Sequence, residues 1–285
     1  MTTGYKWNLQ ADRTIDWSIS NGFQGEFWTD PSAVIQHVSD ALNIVSYYAN
    51  VSFNYVGYLT TPSAASAAGA EIDVTIDGGG QVFTNNNVWA LGFFPTTTGQ
   101  TAYVGQPGDV FLNIRSAANT LASYDPGSIG WALLLHELGH TLGLKHPFDN
   151  GGTGHPTFEN SGLGSLDQKF ATVMAYADDY NWNQIAYHPA TPMALDVLAL
   201  QYLYGPNMTT NLGDSLYNLT ASNLFLTIWD AGGQRHGERR HARRWLANLP
   251  SLRPAFFVGC DENWLCTSDE RHLTLDAPQS GLADG

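Results

Sequence analysis

Two histidines four residues apart, with a glutamate beside the first, are the residues of this chain best suited to chemistry. They are His136, Glu137 and His140, and they open the run HELGHTLGLKH that ends at His146. Side chains four residues apart on a helix project from one face, so the two imidazoles can bind the same metal ion. Glu137 lies close to that metal without being a third ligand on the same face, so its carboxylate can serve as general base on a water molecule. The spacing therefore predicts a hydrolytic zinc site.

A third ligand follows after a predicted turn. Gly143 comes three residues after His140, and glycine accepts the positive φ with which many helices end. The turn can bring His146 back to the metal, and three histidines leave one position of a tetrahedral zinc open, as catalysis requires. A bare HExxH segment is often ordinary helix surface, but the added glycine and histidine at fixed spacing make that explanation weak.

The full pattern HExxHxxGxxH is the metzincin signature. With Pro147 directly after the third histidine, the segment resembles the serralysin family of bacterial secreted metalloproteases. Residues 173–176, Val-Met-Ala-Tyr, resemble the Met-turn of that family, and residues 192–207 resemble the helix and junction that close its catalytic domain. The resemblance covers about residues 5–234 and implies a zinc endopeptidase of broad specificity.

The resemblance also implies roles for individual residues. Tyr176 would bind zinc through its hydroxyl at rest and then stabilise the oxyanion of the tetrahedral intermediate. Met174 would form an apolar floor beneath the histidines, and Glu137 would pass a proton from water to the leaving amine. An extended substrate would add a strand to the sheet edge at residues 89–94, although core packing accounts for Trp89 and Phe93 nearly as well.

Four other polar residues have weaker cases. His37 falls on a predicted helix and is expected to be partly buried, while His155 and His188 lie in loops near the expected cleft, where they could touch substrate or a second ion. Asp196 can either anchor a hydrogen bond behind the metal site or act as an ordinary carboxylate at a helix N-terminus.

The elements that must position these residues follow from periodicity. Alternating apolar residues predict strands, and apolar residues at helical spacing after capping signals predict helices. The strands cover residues 14–20, 51–58, 71–76, 88–94 and 110–114, and the helices begin at Asp30-Pro31, near Ser128 and at Pro192. An Ala/Ser-rich linker is expected at residues 62–70. The order favours an α/β (α+β) fold with a mixed sheet. The resemblance makes this a zincin-like domain whose twisted sheet is mostly parallel and whose active-site helix is long.

Composition and charge restrict the partners. The net charge of −14 argues against nucleic acid and anionic lipid. The sequence contains no run of 18 apolar residues, so no membrane span is predicted. We expect a monomer that acts on proteins or peptides. The resemblance implies a secreted protein, although neither an N-terminal signal peptide nor a C-terminal export signal is recognisable.

The composition changes near residue 234. Lys and Arg number 5 in residues 1–234 against 19 acidic residues, whereas residues 235–285 hold 7 of each and both cysteines. We predict a catalytic domain at 1–206, the start of a calcium-binding β-roll at 207–234, and a divergent tail at 235–285 that is frameshifted or disordered. A genuine appended segment is the alternative. The nonapeptide repeats of the family are missing, so any calcium at Asp230 and Gly232 would bind weakly.

Two other functions remain open at this point. The chain could be a catalytically weak or inactive protein-binding relative, since the half of the molecule that holds calcium is incomplete. It could also be a zinc hydrolase that acts on a non-protein substrate. The presence of all three histidines, Glu137 and Tyr176 favours the endopeptidase.

Overall fold

A five-stranded sheet is the frame of the computed structural model, which describes residues 1–96, 106–116, 119, 124–151, 154–177, 188–218, 226–232 and 235–238. Its strands are β1 (Thr14–Ser20), β2 (Ser52–Leu59), β3 (Ile72–Asp77), β4 (Ala90–Gly92) and β5 (Asp109–Asn113). The spatial order is β2-β1-β3-β5-β4. All pairings are parallel except that of β4 with β5, which is antiparallel. The predicted mixed, mostly parallel sheet is confirmed, with β4 at one edge.

Within the described ranges, four α-helices accompany the sheet: α1 (Pro31–Tyr48), α2 (Pro62–Ala67), α3 (Ile129–Thr141) and α4 (Ala194–Tyr204). The prediction of a linker at residues 62–70 was wrong, because this stretch contains α2. Thr61 caps α2 by accepting a hydrogen bond from the Ala64 N–H, and Pro62 occupies the first turn. Alanine is the best helix former, so a composition that resembles a linker is equally suited to a short helix.

The two faces of the central strands differ in character. Ile72, Val74 and Ile76 of β3 belong to the main apolar core, which also includes residues of α1 and α3. The alternate residues Asp73 and Thr75 point to the opposite face and are buried as well. Every residue of β3 is therefore buried, as expected for an interior strand of a parallel sheet, but one of its faces is polar.

The segment after α4 contacts α1 again. Trp229 packs against Tyr48 of α1 and Val197 of α4. Strand β6 (Ser215–Asn218) pairs in parallel with β7 (Arg235–Glu238). Strand β7 thus includes the first residues of the predicted divergent tail, while residues 239–285 lie outside the described part of the chain, so the nature of the tail stays a prediction. No described helix has the length and apolar character needed to span a membrane.

Candidate active site

Helix α3 carries the first two histidines and the glutamate. It begins where the hydroxyl of Ser128 accepts a hydrogen bond of 3.2 Å from the Trp131 N–H. The indole of Trp131 is buried and donates to the Ala190 carbonyl at 2.9 Å, which fixes the helix to the segment that precedes α4. His136, Glu137 and His140 are themselves buried. Because the helix is held at its start and packed over its length, these side chains have defined positions.

The helix ends in a turn that requires glycine. Gly143 has a φ of +96°, and its N–H donates to the His140 carbonyl while that of Leu144 donates to Gly139, both at 2.9 Å. These two bonds form a Schellman motif. A Cβ atom on Gly143 would also lie 2.2 Å from the carbonyl oxygen of Tyr5. The predicted turn is present, and it reverses the chain toward the third histidine.

The three imidazoles converge through their Nε2 atoms. The Nε2 of His146 lies 3.1 Å from that of His136 and 3.2 Å from that of His140. Each Nδ1 instead faces an oxygen that can only accept: the Val173 carbonyl for His136, the Leu144 carbonyl for His140 and the Asp149 carboxylate for His146.

This arrangement fits a metal ion. Each Nδ1 must carry the ring proton to donate to its oxygen, so each Nε2 turns a lone pair toward the other two. Such a cluster is favourable only with a cation between the lone pairs. Zn–N bonds of about 2.05 Å at the tetrahedral angle give N···N separations of about 3.3 Å, close to those observed. Burial also lowers the pKa of His136 to about 4, which keeps the ring neutral. The three histidines can therefore hold zinc.

Glu137 lies against the edge strand of the sheet. Burial raises its pKa to about 8, and a hydrogen bond from the Gly92 N–H opposes this rise only in part. A cation held by the neighbouring histidines would lower the pKa again and favour the carboxylate form. Strand β4 approaches α3 so closely that a Cβ on Gly92 would stand 2.4 Å from the Glu137 carbonyl and 3.0 Å from the Cβ of His140. The contact places the carboxylate at the edge where we expect an extended peptide to bind.

Met174 and Tyr176 occupy two sides of the histidine cluster. Met174 is fully buried, and its sulfur lies 2.8 Å from the position that a Cβ on Gly139, one residue before His140, would take. The Tyr176 ring lies 4.8 Å from the His146 ring and 5.7 Å from the His136 ring. The structure thus brings both residues to the site, while the roles of Tyr176 as ligand and oxyanion donor stay predictions.

Asp196 combines the two functions that the sequence left open. Its buried carboxylate accepts hydrogen bonds from the Thr172 hydroxyl at 2.5 Å and the Val173 N–H at 2.7 Å. It also accepts from the Met193 N–H at 2.8 Å, which caps α4. Since the Val173 carbonyl in turn accepts from His136, Asp196 holds the segment that orients the first histidine.

Three residues of the loop after α3 were missed by the sequence interpretation. They are Lys145, whose ammonium group donates only to carbonyl oxygens; Phe148, whose ring stacks on the third histidine; and Asp149, whose carboxylate holds the same ring. The spacing of Asp149, three residues after His146, is the one signal that could have indicated its role. Lys145 and Phe148 have no distinctive pattern in the sequence.

The other residues that the sequence suggested as possible ligands lie outside the cluster of three histidines. Within the described residues, the three histidines are the only group of three or more acidic, histidine or cysteine side chains close enough to share a metal ion. The rings of His155 and His188 do not belong to it, and His37 stacks on Tyr124. Asp230 accepts a hydrogen bond of 3.1 Å from the Gly232 N–H in the segment packed on α1, and calcium binding there stays a prediction.

The sequence is similar to those of known metallopeptidases. Residues 80–203 match the family described as "Metallo-peptidase family M12B Reprolysin-like". The chain is 33% identical over 219 residues to a serralysin of Proteus mirabilis, covering 70% of this chain and 42% of that relative. It is 30% identical over 233 residues to serralysin G of Dickeya chrysanthemi, covering 76% and 45%. The chain thus spans less than half the length of these curated relatives.

Proposed function

Because the chain contains a metzincin catalytic domain of the serralysin type, we propose that it is a zinc endopeptidase in which Glu137 is the general base. The observation that carries this proposal is the convergence of three Nε2 atoms, that of His146 lying 3.1 and 3.2 Å from the other two, while Glu137 follows His136 on α3 and is held by the Gly92 N–H. Three ligands leave room for water and a peptide carbonyl, as a catalytic zinc site requires.

Each group at the site would have its own role in peptide hydrolysis. Zinc bound at the three Nε2 atoms would polarise the peptide carbonyl and make water more acidic. Glu137 would accept a proton from water and deliver it to the leaving amine. The hydroxyl of Tyr176, a residue that is 63% exposed, would donate a hydrogen bond to the oxyanion. Asp149 and the carbonyl oxygens of Val173 and Leu144 would keep the histidine rings oriented, while burial keeps the rings neutral.

The edge of β4 opposite β5, which pairs with no other strand in the described part of the chain, is the proposed binding place for the substrate backbone. Strand β4 uses one side to pair with β5 and lies against α3 where Glu137 is held. A peptide that added a strand to the other side would pass the carboxylate. Trp89, at the start of this edge, is 42% exposed and available to a substrate, whereas Phe93 is buried with Phe83 and Phe111. Core packing therefore accounts for Phe93 but not for Trp89.

We further propose a secreted monomer that cleaves proteins, with a catalytic domain at residues 1–206 and the start of a calcium-binding domain at 207–234. The family resemblance supports secretion and the domain boundary. Calcium near Asp230 would be weak, because the described segment 226–232 offers this single carboxylate and calcium takes six to eight oxygen ligands.

Substitution of the glutamate tests the proposed mechanism. Glu137→Ala should lower kcat/KM for casein or a peptide by at least about a thousandfold while retaining one zinc per chain by elemental analysis. Glu159→Ala removes an exposed glutamate from the short 3₁₀ helix Glu159–Ser161 and should leave both values unchanged. A zinc chelator should abolish cleavage. Cleavage by Glu137→Ala at the rate of the parent would disprove the mechanism. A parent that binds zinc but cleaves nothing would favour the inactive protein-binding alternative.

A further inference from the structure

An exposed phenylalanine covers the third histidine. The ring of Phe148 stacks on that of His146 with centroids 4.7 Å apart and planes only 8° from parallel. One face of Phe148 is thereby occupied, yet 43% of the residue is exposed to solvent. Large aromatic side chains are favoured where they can be buried. An aromatic ring left open beside a catalytic centre is therefore a candidate contact for a substrate.

Tyr176 extends this surface. Its ring lies 5.0 Å from that of Phe148 at an angle of 56°, and 63% of the residue is exposed. The two rings and His146 lie in mutual contact, since Tyr176 is also 4.8 Å from the histidine ring. They form an apolar, solvent-facing corner, which we call the aromatic corner, directly beside the ring that would bind the metal.

The loop that carries Phe148 is fixed rather than adaptable. The buried ammonium group of Lys145 donates to the carbonyls of His146 at 3.2 Å, Asp149 at 2.7 Å and Pro156 at 3.2 Å. The Phe158 N–H donates to the Pro147 carbonyl at 2.8 Å. These bonds tie both ends of the loop together, so Phe148 is held in place before any ligand arrives. Such preorganisation reduces the entropy lost on binding.

We propose that Phe148 is a specificity-determining residue: with Tyr176 it receives an aromatic or large aliphatic side chain of the substrate next to the scissile bond. This inference rests on the proposed peptidase function and adds the class of side chain selected. A ring at this place gains from apolar and stacking contacts with such a side chain, and it offers no hydrogen bond to a polar one.

Paired peptides test the proposal. Each pair differs only by Phe or Ser at one position on either side of the cleaved bond, and kcat/KM is measured for every position. The parent should prefer Phe by about tenfold or more at one position, the range expected for one large apolar contact. Phe148→Ala should reduce that preference to less than about threefold, and Phe148→Leu should retain part of it. Phe27→Ala, which removes a phenylalanine that is 68% exposed and outside the aromatic corner, is the matched control and should retain all of it.

A binding measurement separates the two hypotheses. The same fluorescent peptides are titrated onto Glu137→Ala protein with and without Phe148→Ala, and zinc content is determined for each variant. Loss of the preference for Phe in both kcat/KM and binding, with zinc retained, supports the proposal. An unchanged preference in Phe148→Ala overturns it, as does an equal loss for all peptides accompanied by lower zinc content, which would make Phe148 only a support for His146. Peptides that bind the parent with the preference for Phe but are never cleaved would contradict the peptidase function and leave the aromatic corner intact.

Discussion

The oxygens behind the three histidines decide what those rings can do. Each accepts a hydrogen bond from one Nδ1–H group, which fixes the tautomer and leaves the Nε2 lone pair for a metal ion. Two of the three oxygens belong to Leu144 and Asp149, in the turn and loop directly after α3. The geometry of this loop therefore sets the orientation of both the His140 and the His146 rings. Lys145 holds the loop in this conformation by donating hydrogen bonds to three of its carbonyl oxygens.

Removal of the Lys145 charge should destabilise this loop and lower the stability of the fold. Lys145→Met keeps the apolar stem but leaves the three carbonyl oxygens of residues 146, 149 and 156 without their donor. We expect a loss of about 3 kcal/mol in the free energy of unfolding measured with urea, together with weaker zinc binding by competition with a chelator. Lys6→Met removes a single bond to the Leu203 carbonyl from an exposed lysine and should cost less than about 1 kcal/mol. Equal losses in the two variants would contradict the role assigned to Lys145.

At the scale of the elements, the approach of β4 to α3 sets the distance between the sheet edge and the glutamate. No side chain separates the two at Gly92, where the N–H reaches the Glu137 carboxylate. The close contact explains why a strand of only three residues can hold a defined place at the edge of the sheet.

Gly92→Ala should therefore impair catalysis without abolishing folding. A Cβ at this position would stand 2.4 Å from the Glu137 carbonyl, so β4 must move away from α3. We expect kcat/KM to fall by about tenfold to a hundredfold, with zinc content and the far-UV spectrum retained. Gly213→Ala is the matched control, because a Cβ there meets no atom within 4 Å and its backbone has no positive φ. A Gly92→Ala protein as active as Gly213→Ala would show that the approach of β4 is not critical.

At the scale of the whole molecule, a buried pair of aspartates makes the stability of the fold depend on pH. Asp73 and Asp109 are partners in the pairing of β3 with β5, and both are buried. Ser18 and Ser20 of β1 donate to Asp73, and the Gln106 N–H donates to Asp109. Burial nevertheless raises the pKa of Asp73 from 3.8 to about 6 and that of Asp109 to about 8. Both carboxyls are thus protonated in the folded state at a pH where the unfolded chain has released the protons.

The fold should consequently lose stability as the pH rises. The contribution of each protonated carboxyl is complete below about pH 4 and is lost as the pH passes about 6 for Asp73 and about 8 for Asp109. Asp109→Asn, which cannot ionise, should raise the free energy of unfolding at pH 9 relative to the parent by several kcal/mol, since the pKa shift from 3.8 to about 8 is worth about 1.4 kcal/mol per unit. Asp125→Asn changes an exposed aspartate and should have no such effect. Urea unfolding between pH 5 and pH 9 measures both, and parallel curves for the parent and Asp109→Asn would contradict the assignment.

Local patterns in the sequence were enough to predict most elements and the core of the site. Alternation predicted β1 with its observed bounds, and helical spacing with the Asp30 cap predicted the start of α1. The histidine cluster could be predicted because every part of it is local: a spacing of four on one helix, and a glycine turn within six residues of His140. The short helix α2 was missed because its alanines suit both a linker and a helix.

Only the tertiary structure decided which distant residues meet at the site. The contacts of Gly92 with Glu137, of Met174 with Gly139 and of Asp196 with Val173 join segments 23 to 45 residues apart. No spacing rule encodes them, since they depend on how the sheet, α3 and the chain after it pack. The same holds for the polar face of the sheet, where alternation would place Asp73 in solvent, yet packing buries it beside Asp109. The sequence thus predicted the histidine cluster and the chemistry proposed for it, while packing decided the orientation of the rings, the position of Glu137 and the surface offered to a substrate.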